Sequence, residues 1–133
     1  MSRAPSRNLA ARSARGAKAR RDGRGAEIIA SLWLIARGWR VIGFRVPTPQ
    51  GEIDLLARRG EVLAVVEVKR RATLESALEA VSAQQRRRLR AAGENLAARR
   101  ADLAGLSVRL DLVALAPGRL PRHLADAWPG DGA

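Results

Sequence analysis

Asp54, Glu67 and Lys69 stand inside runs that are otherwise rich in Ile, Leu, Val and Ala. They fall in residues 51–71, which read GEIDLLARRGEVLAVVEVKRR. Two apolar runs are separated there by Arg58, Arg59, Gly60 and Glu61, the pattern of two antiparallel strands joined by a tight turn. A charge in the middle of an apolar strand is costly unless something pairs or ligates it.

Strand geometry supplies a reason for the three charges. Side chains alternate, so Glu67 and Lys69 share a face, roughly 7 Å apart along the strand, while Val68 points the other way. A turn of even length, either Arg59-Gly60 or the four residues from Arg58, sets Asp54 opposite Val65 on that same face. Glu67 is then its diagonal neighbour, at roughly 7–8 Å between α-carbons. A slip of one residue would turn Asp54 to the other side. Two carboxylates at that separation can share a divalent cation through oxygen, with an ammonium beside them. Metal and lysine together are equipment for phosphodiester hydrolysis.

Lys69 is singled out a second time by composition. Of 25 basic residues only Lys18 and Lys69 are lysines. Arg is planar and permanently charged, whereas Lys is a compact charge with an adjustable pKa, so an internal lysine in an arginine-writing chain points to lysine chemistry. The plainer alternative is a solvated strand end.

The surrounding elements must hold these groups. Residues 24–37 carry Ile28, Ile29, Leu32, Trp33 and Ala36 at helical spacing, and Gly38 stops the helix; Glu27 lies in its first turn, where a carboxylate also favours the helix dipole. Residues 39–46 alternate as a strand ended by Pro47 and Pro49. Arg45 near its end can touch a phosphate or stay solvated, and Glu52 projects with Asp54 in the even-turn register. Thr73 is an N-cap for one long helix to about residue 100, whose stripe of Leu74, Leu78, Val81, Leu89, Ala92 and Leu96 is interrupted by Gln85. Arg86, Arg87, Arg88 and Arg90 follow on its other faces, as phosphate contacts or as a solvated surface. Residues 107–115 form a further strand, in which Asp111 pairs with Arg109 or a nearby loop. Residues 119–128 close the domain, with Trp128 packed on the core and the single histidine, His123, expected at the surface.

The Gly-Glu-Ile-Asp at residues 51–54 and the Val-Glu-Val-Lys-Arg at residues 66–70 resemble the YraN-like family of uncharacterised bacterial proteins. That family in turn resembles the restriction-endonuclease-like superfamily, with its Asp and Glu-x-Lys signature, and within it the archaeal Holliday junction resolvases. The resemblance covers residues 23–128. It implies an α/β fold, a restriction-endonuclease-like core with a mixed central sheet flanked by helices in the order α-β-β-β-α-β. It also implies a catalytic set of Asp54, Glu67, Lys69, Glu27 and Gln85. Asp54, Glu67 and the Val68 carbonyl would hold Mg²⁺ or Mn²⁺, and Lys69 would orient or deprotonate the attacking water. Gln85 stands where many relatives carry Lys, and Leu110 replaces an aromatic residue of the family's Arg-aromatic-Asp motif.

Length and charge bound the function. The 133 residues suit one domain, over residues 24–128, with a basic arm at 1–23 and a short tail at 129–133. A net charge of +12 points to a polyanionic partner, nucleic acid before an acidic membrane surface. The arm, with Arg3, Arg7, Arg12, Arg15, Lys18, Arg20 and Arg21 and almost nothing to bury, is expected to be mobile and to attract phosphates, to act as a solubilising tail or to resemble a transit peptide. With no cysteine, there are neither disulfides nor thiolate metal sites. No apolar run is long enough for a transmembrane helix or follows the basic start as a secretory signal would, so a cytoplasmic location is expected. Three Trp and one Phe are too few for a base-stacking platform.

The expectation is therefore a metal-dependent, structure-selective DNA endonuclease acting on branched or duplex DNA, with Arg45, Arg70, Arg71, Arg86, Arg87, Arg88 and Arg90 on the backbone. A homodimer follows only by analogy with the resolvases. The first alternative is a nucleic-acid-binding module that kept the fold and lost cleavage; the second is a protein-interaction subunit whose charge serves solubility.

Overall fold

In the computed structural model, residues 25–132 are described; the arm expected at residues 1–23 lies outside them. The elements are α1 (residues 25–36), β1 (Arg40–Val46), β2 (Ile53–Arg59), β3 (Val62–Arg70), α2 (Leu74–Glu79), α3 (Ala83–Arg99), β4 (Ser107–Leu115) and β5 (Arg122–Leu124). The strands form one sheet in the order β1-β2-β3-β4-β5. All neighbours are antiparallel except β3 and β4. That parallel pair needs a crossover, and α2 with α3 provides it. The mixed α/β architecture with flanking helices is the one expected. Among the described residues no helix is long and apolar enough to cross a membrane.

Helices cover both faces of the sheet, and alternation along β3 sorts its side chains between them. Ala64 and Val66 join Leu55, Ala57, Val113 and Leu115 in a core sealed by Ala26, Ala30 and Leu34 of α1. Leu63 and Val65 face the other way, with Leu56 and Leu110, against Leu89 and Ala92 of α3. Farther along that second face, Leu112 and Ala114 of β4 meet Ala77 of α2. Helix α3 can approach so closely because residue 93 is glycine. A Cβ there would lie 2.5 Å from Cγ2 of Val65 and 2.9 Å from Cγ1 of Val108.

The hairpin has the expected parity but a different register. Arg59 pairs with Val62 and Leu55 with Val66, so the two-residue turn is Gly60-Glu61 rather than Arg59-Gly60. Gly60 takes φ 59°, in the left-handed region where glycine carries no Cβ penalty. Asp54 therefore does not oppose Val65. One step beyond the last pair it stands across from Glu67, which brings the two carboxylates nearer than the diagonal arrangement would.

The single long helix expected over residues 73–100 is two helices. Thr73 caps α2 as expected, its hydroxyl accepting the Ser76 N–H at 3.1 Å. Ser82 then caps α3, accepting the Gln85 N–H at 3.1 Å. A Ser followed three residues later by Gln is the sequence pattern of a capping box, and it marks this second start.

The third difference lies at β5, which extends the expected element order and draws His123 inward. His123 Nε2 lies 2.8 Å from Oδ2 of Asp111, and its ring meets Trp39 edge-on at 5.8 Å. Asp111 is fully buried and also receives both Arg109 Nε at 2.8 Å and Nη2 at 2.9 Å, as well as the Asp126 N–H at 3.0 Å. Burial pushes its carboxyl up, but these partners outweigh that and hold it below the usual carboxylate range. This network fastens β5 to the sheet, so the histidine is an interior tie rather than a surface residue. Residues 129–132, expected as part of a tail, form a 3₁₀ turn, and Asp131 ties that turn to α3 through Arg86 at 2.6 Å.

Candidate active site

Backbone pairing between β2 and β3 stops at Leu55 and Val66, while β3 continues alongside β4 to Arg70. The N–H groups of β3 beyond that point need acceptors from elsewhere. Asp54 provides one: its Oδ2 accepts the Val68 N–H at 3.0 Å. An aspartate at this position therefore completes the ladder and at the same time aims its carboxylate at the end of β3.

Glu67 meets it there. Leu63 and Val65 lie on the α3 side of the sheet, so by alternation Glu67 and Lys69 do too. Glu67 is only 4% exposed. Its Oε1 lies 3.4 Å from Nζ of Lys69 and accepts from Nε2 of Gln85 at 3.3 Å. Gln85 reaches it because Ser82 starts α3 just before it, and because Gln85 precedes the buried Leu89 by one helical turn on the sheet-facing side. The structure thus brings Asp54, Glu67, Val68, Lys69 and Gln85 to one point.

The electrostatics of this cluster follow from burial. Burial pushes the Glu67 carboxyl up to about 7, and the neighbouring Asp54 charge adds to the rise, against the lowering effect of Lys69. Asp54 is also raised by burial, opposed by the Val68 N–H and by Lys69. Desolvation and the neighbouring Asp54 charge together disfavour the ionised form of Glu67.

A divalent cation would let both groups ionise together, and in that sense the donor set fits the metal expected from the sequence. Among the described residues no three His, Asp or Glu side chains gather to hold a metal by themselves. The candidate ligands are therefore the Asp54 and Glu67 carboxylates and the carbonyl of Val68, the residue whose N–H is already held by Asp54. One or two carboxylates with the remaining positions left to water is the habit of Mg²⁺ rather than of a closed structural site.

Glu27 enters from the other layer. Its neighbours Ala26 and Ala30 seal the opposite core, and its carboxylate accepts Arg45 Nε at 2.9 and 3.1 Å. Arg45 in turn feels the charges of Glu52 and Asp54. Glu27 is thus linked to the site through Arg45, and among the described residues it shares no hydrogen bond or ion pair with Glu67 or Lys69. Arg45 adopts φ 44°, uncommon for a residue with a Cβ, between the paired residues Phe44 and Val46 of β1.

The expected phosphate contacts divide in two. Arg45 is held by Glu27, while Arg86 and Arg90 lie 2.6 and 3.6 Å from Asp131 and Arg90 also donates to the Trp128 carbonyl at 3.0 Å. These side chains brace the protein. Arg70, Arg71, Arg87 and Arg88 are exposed. Asp131 and the Asp111–His123 pair were not foreseen in these roles. Their partners lie 45 and 12 residues away, and local spacing carries no signal at such distances.

Comparison with known proteins gives the family. A model described as "Uncharacterised protein family UPF0102" matches residues 26–115, which contain every residue of the cluster. A UPF0102 protein of Caulobacter vibrioides (strain NA1000 / CB15N) is 65% identical over 119 residues, covering 90% of this chain and 95% of that protein. Another, from Caulobacter sp. (strain K31), is 63% identical over 92% of this chain and 88% of that one. One from Maricaulis maris (strain MCS10) is 48% identical over 92% and 95%. With this model match and these identities, the chain belongs to the UPF0102 family.

Proposed function

We propose that this protein is a metal-dependent DNA endonuclease of the restriction-endonuclease-like type, similar to the Holliday junction resolvases and selective for DNA structure. The observation that carries the reading is the cluster itself: Asp54 and Glu67 from adjacent strands, both raised by burial, with Lys69 3.4 Å from Glu67. A structural ion pair needs only one carboxylate per cation and gains nothing from a second desolvated acid beside it.

Asp54, Glu67 and the Val68 carbonyl would hold Mg²⁺ or Mn²⁺, which when bound supplies a Lewis acid and a more acidic water. The rest falls to the chain's own residues. Lys69 orients the attacking water and offsets the negative charge that develops on the phosphoryl oxygens. Gln85, on Glu67 Oε1, fixes that carboxylate in one rotamer. Exposed arginines hold the DNA backbone, and the net charge of +12 draws it in.

A second reading, a binding module without cleavage, is favoured by one observation: the group on Glu67 Oε1 opposite Lys69 is a neutral amide. The two readings separate on metal. The endonuclease is expected to gain thermal stability with Mn²⁺ and to lose that gain in Asp54→Ala; melting that ignores both the metal and the substitution supports the module.

A further inference from the structure

Helix α1 is apolar on both of its sides. Ala26, Ala30 and Leu34 seal the core beneath it, and its polar residues Glu27 and Ser31 are buried as well. Ile28, Leu32 and Ile35, stepping by four and three, form a stripe on the outward side with Ile29 next to it, and all four are exposed. A helix that is hydrophobic all round is ordinarily covered all round. Phe44 extends the patch. It is exposed on the edge strand β1 and pairs with Leu55 of the α1-side core, so it projects from the same side of the sheet. Among the described residues six large hydrophobic side chains are exposed, and five of them lie on this one side.

Charge and symmetry identify what covers the patch. Residues 28–36 read IIASLWLIA, without a charge in a chain of which 29% is charged. Depletion of charge marks the centre of a protein–protein interface. Nucleic acid instead needs cations to displace its counterions, and a helix lying on a membrane turns its polar side outward rather than into its own protein. The stripe is also close to symmetric about Leu32, with Ile28 four residues before it and Ile35 three after. An antiparallel copy of α1 laid across it sets Leu32 on Leu32 and Ile28 on Ile35, the self-matching contact that a two-fold axis requires. Five large side chains, each about half exposed, present on the order of 500 Å² of apolar surface, most of the roughly 800 Å² that each partner gives to a standard interface.

We infer that the outer side of α1, centred on Leu32 and flanked by Phe44, is the surface on which a second copy of this chain docks, the two α1 helices packing antiparallel. The inference goes beyond the endonuclease reading and does not depend on it: a dimer that never cuts DNA leaves the pairing intact. Each copy carries a net charge of +12, so the copies repel one another at low salt, and added salt screens that repulsion. Pairing should therefore hold or tighten as salt is raised, the reverse of a contact with phosphates.

The test is sedimentation velocity of the full chain after nuclease treatment, in about 0.5 M NaCl and at about 50 µM, where a dimer of micromolar dissociation constant is assembled. The natural protein is expected to run as a dimer. Leu32 is 62% exposed, so Leu32→Glu should keep the natural far-UV circular dichroism and run as a monomer. Leu120→Glu, at a residue 73% exposed and away from the patch, makes the same charge change and should stay dimeric. A second measurement reads the geometry. The chain has no cysteine, and facing α-carbons of helices about 8–10 Å apart come within the span of a disulfide. With diamide as oxidant, Leu32→Cys should form a linked dimer at least about ten-fold faster than Leu120→Cys. A natural protein that runs as a monomer leaves the patch to residues 1–24 or to a different protein, and overturns the pairing. Equal assembly of the two glutamate variants, or equal cross-linking of the two cysteine variants, overturns it as well.

Discussion

Gln85 and Lys69 address the same atom. Nε2 of Gln85 donates to Oε1 of Glu67 at 3.3 Å, and Nζ of Lys69 lies 3.4 Å from that oxygen. One donor comes from the start of α3 and the other from β3 itself, so the carboxylate is held by helix and sheet together. Replacing the amide by a cation would favour the charged form of Glu67. In Gln85→Lys, the Glu67 carboxyl is expected to titrate clearly below about 7, followed by carboxyl-carbon NMR; an unchanged midpoint would show that the new ammonium points elsewhere.

Stability should fall as pH rises across the range where Glu67 gives up its proton. Its carboxyl is raised from 4.5 to about 7 in the folded chain. Between those values the native state binds more protons than the unfolded state, so its stability decreases with pH and the contribution is gone above the folded value. Glu67→Gln removes this dependence. The variant is expected to gain stability relative to the natural protein as metal-free urea melts move from about pH 5 to about pH 7.5. Parallel profiles for the two proteins would contradict the raised carboxyl.

Asp111 makes the opposite case, a buried carboxylate whose role is to hold the fold. Removing it leaves Arg109, His123 and the Asp126 N–H without their common acceptor. Asp111→Ala should cost about 3–5 kcal/mol, measured by denaturant unfolding, because a buried pair is broken from one side. The fraction that remains folded should keep the raised Glu67 carboxyl, since the network lies on the α1 side of the sheet and Glu67 on the α3 side.

Gly93 sets how far α3 stands from the sheet. In Gly93→Ala the new methyl meets Val65 and Val108 at 2.5 and 2.9 Å, and both are β-branched residues with little room to turn. Overpacking of about 1–3 kcal/mol should exceed the gain of about 0.5–1 kcal/mol from helix propensity. The expected result is a lower melting temperature, with a weakened hydrogen bond from Gln85 to Glu67; a more stable variant would mean that the valines move aside freely.

Much of the site was legible in the sequence, and the residues explain why. Alternation alone puts Glu67 and Lys69 on one face, and any even turn adds Asp54. What alternation cannot choose is which even turn, since Arg59-Gly60 and Gly60-Glu61 both use the glycine. The pairing of Arg59 with Val62 decides it, with Gly60 at φ 59°. The break between α2 and α3 was written as Ser82 and Gln85 but hidden by an apolar stripe that runs straight through it. The arginines were hardest to assign. Arg86 and Arg87 look alike in sequence, yet Asp131, 45 residues on, takes one of them and leaves the other at the surface. The family match covers the whole cluster.

The most direct test is cleavage of duplex, flap, splayed and four-way DNA in Mg²⁺ and in Mn²⁺, comparing the natural protein with Asp54→Ala and Lys69→Ala. The account predicts metal-dependent product from at least one branched substrate and a rate at least about 100-fold lower in either variant, the usual loss when a group acting on the reacting atoms is removed. Absence of product from every substrate in both metals, or product that persists undiminished in Lys69→Ala, would contradict it.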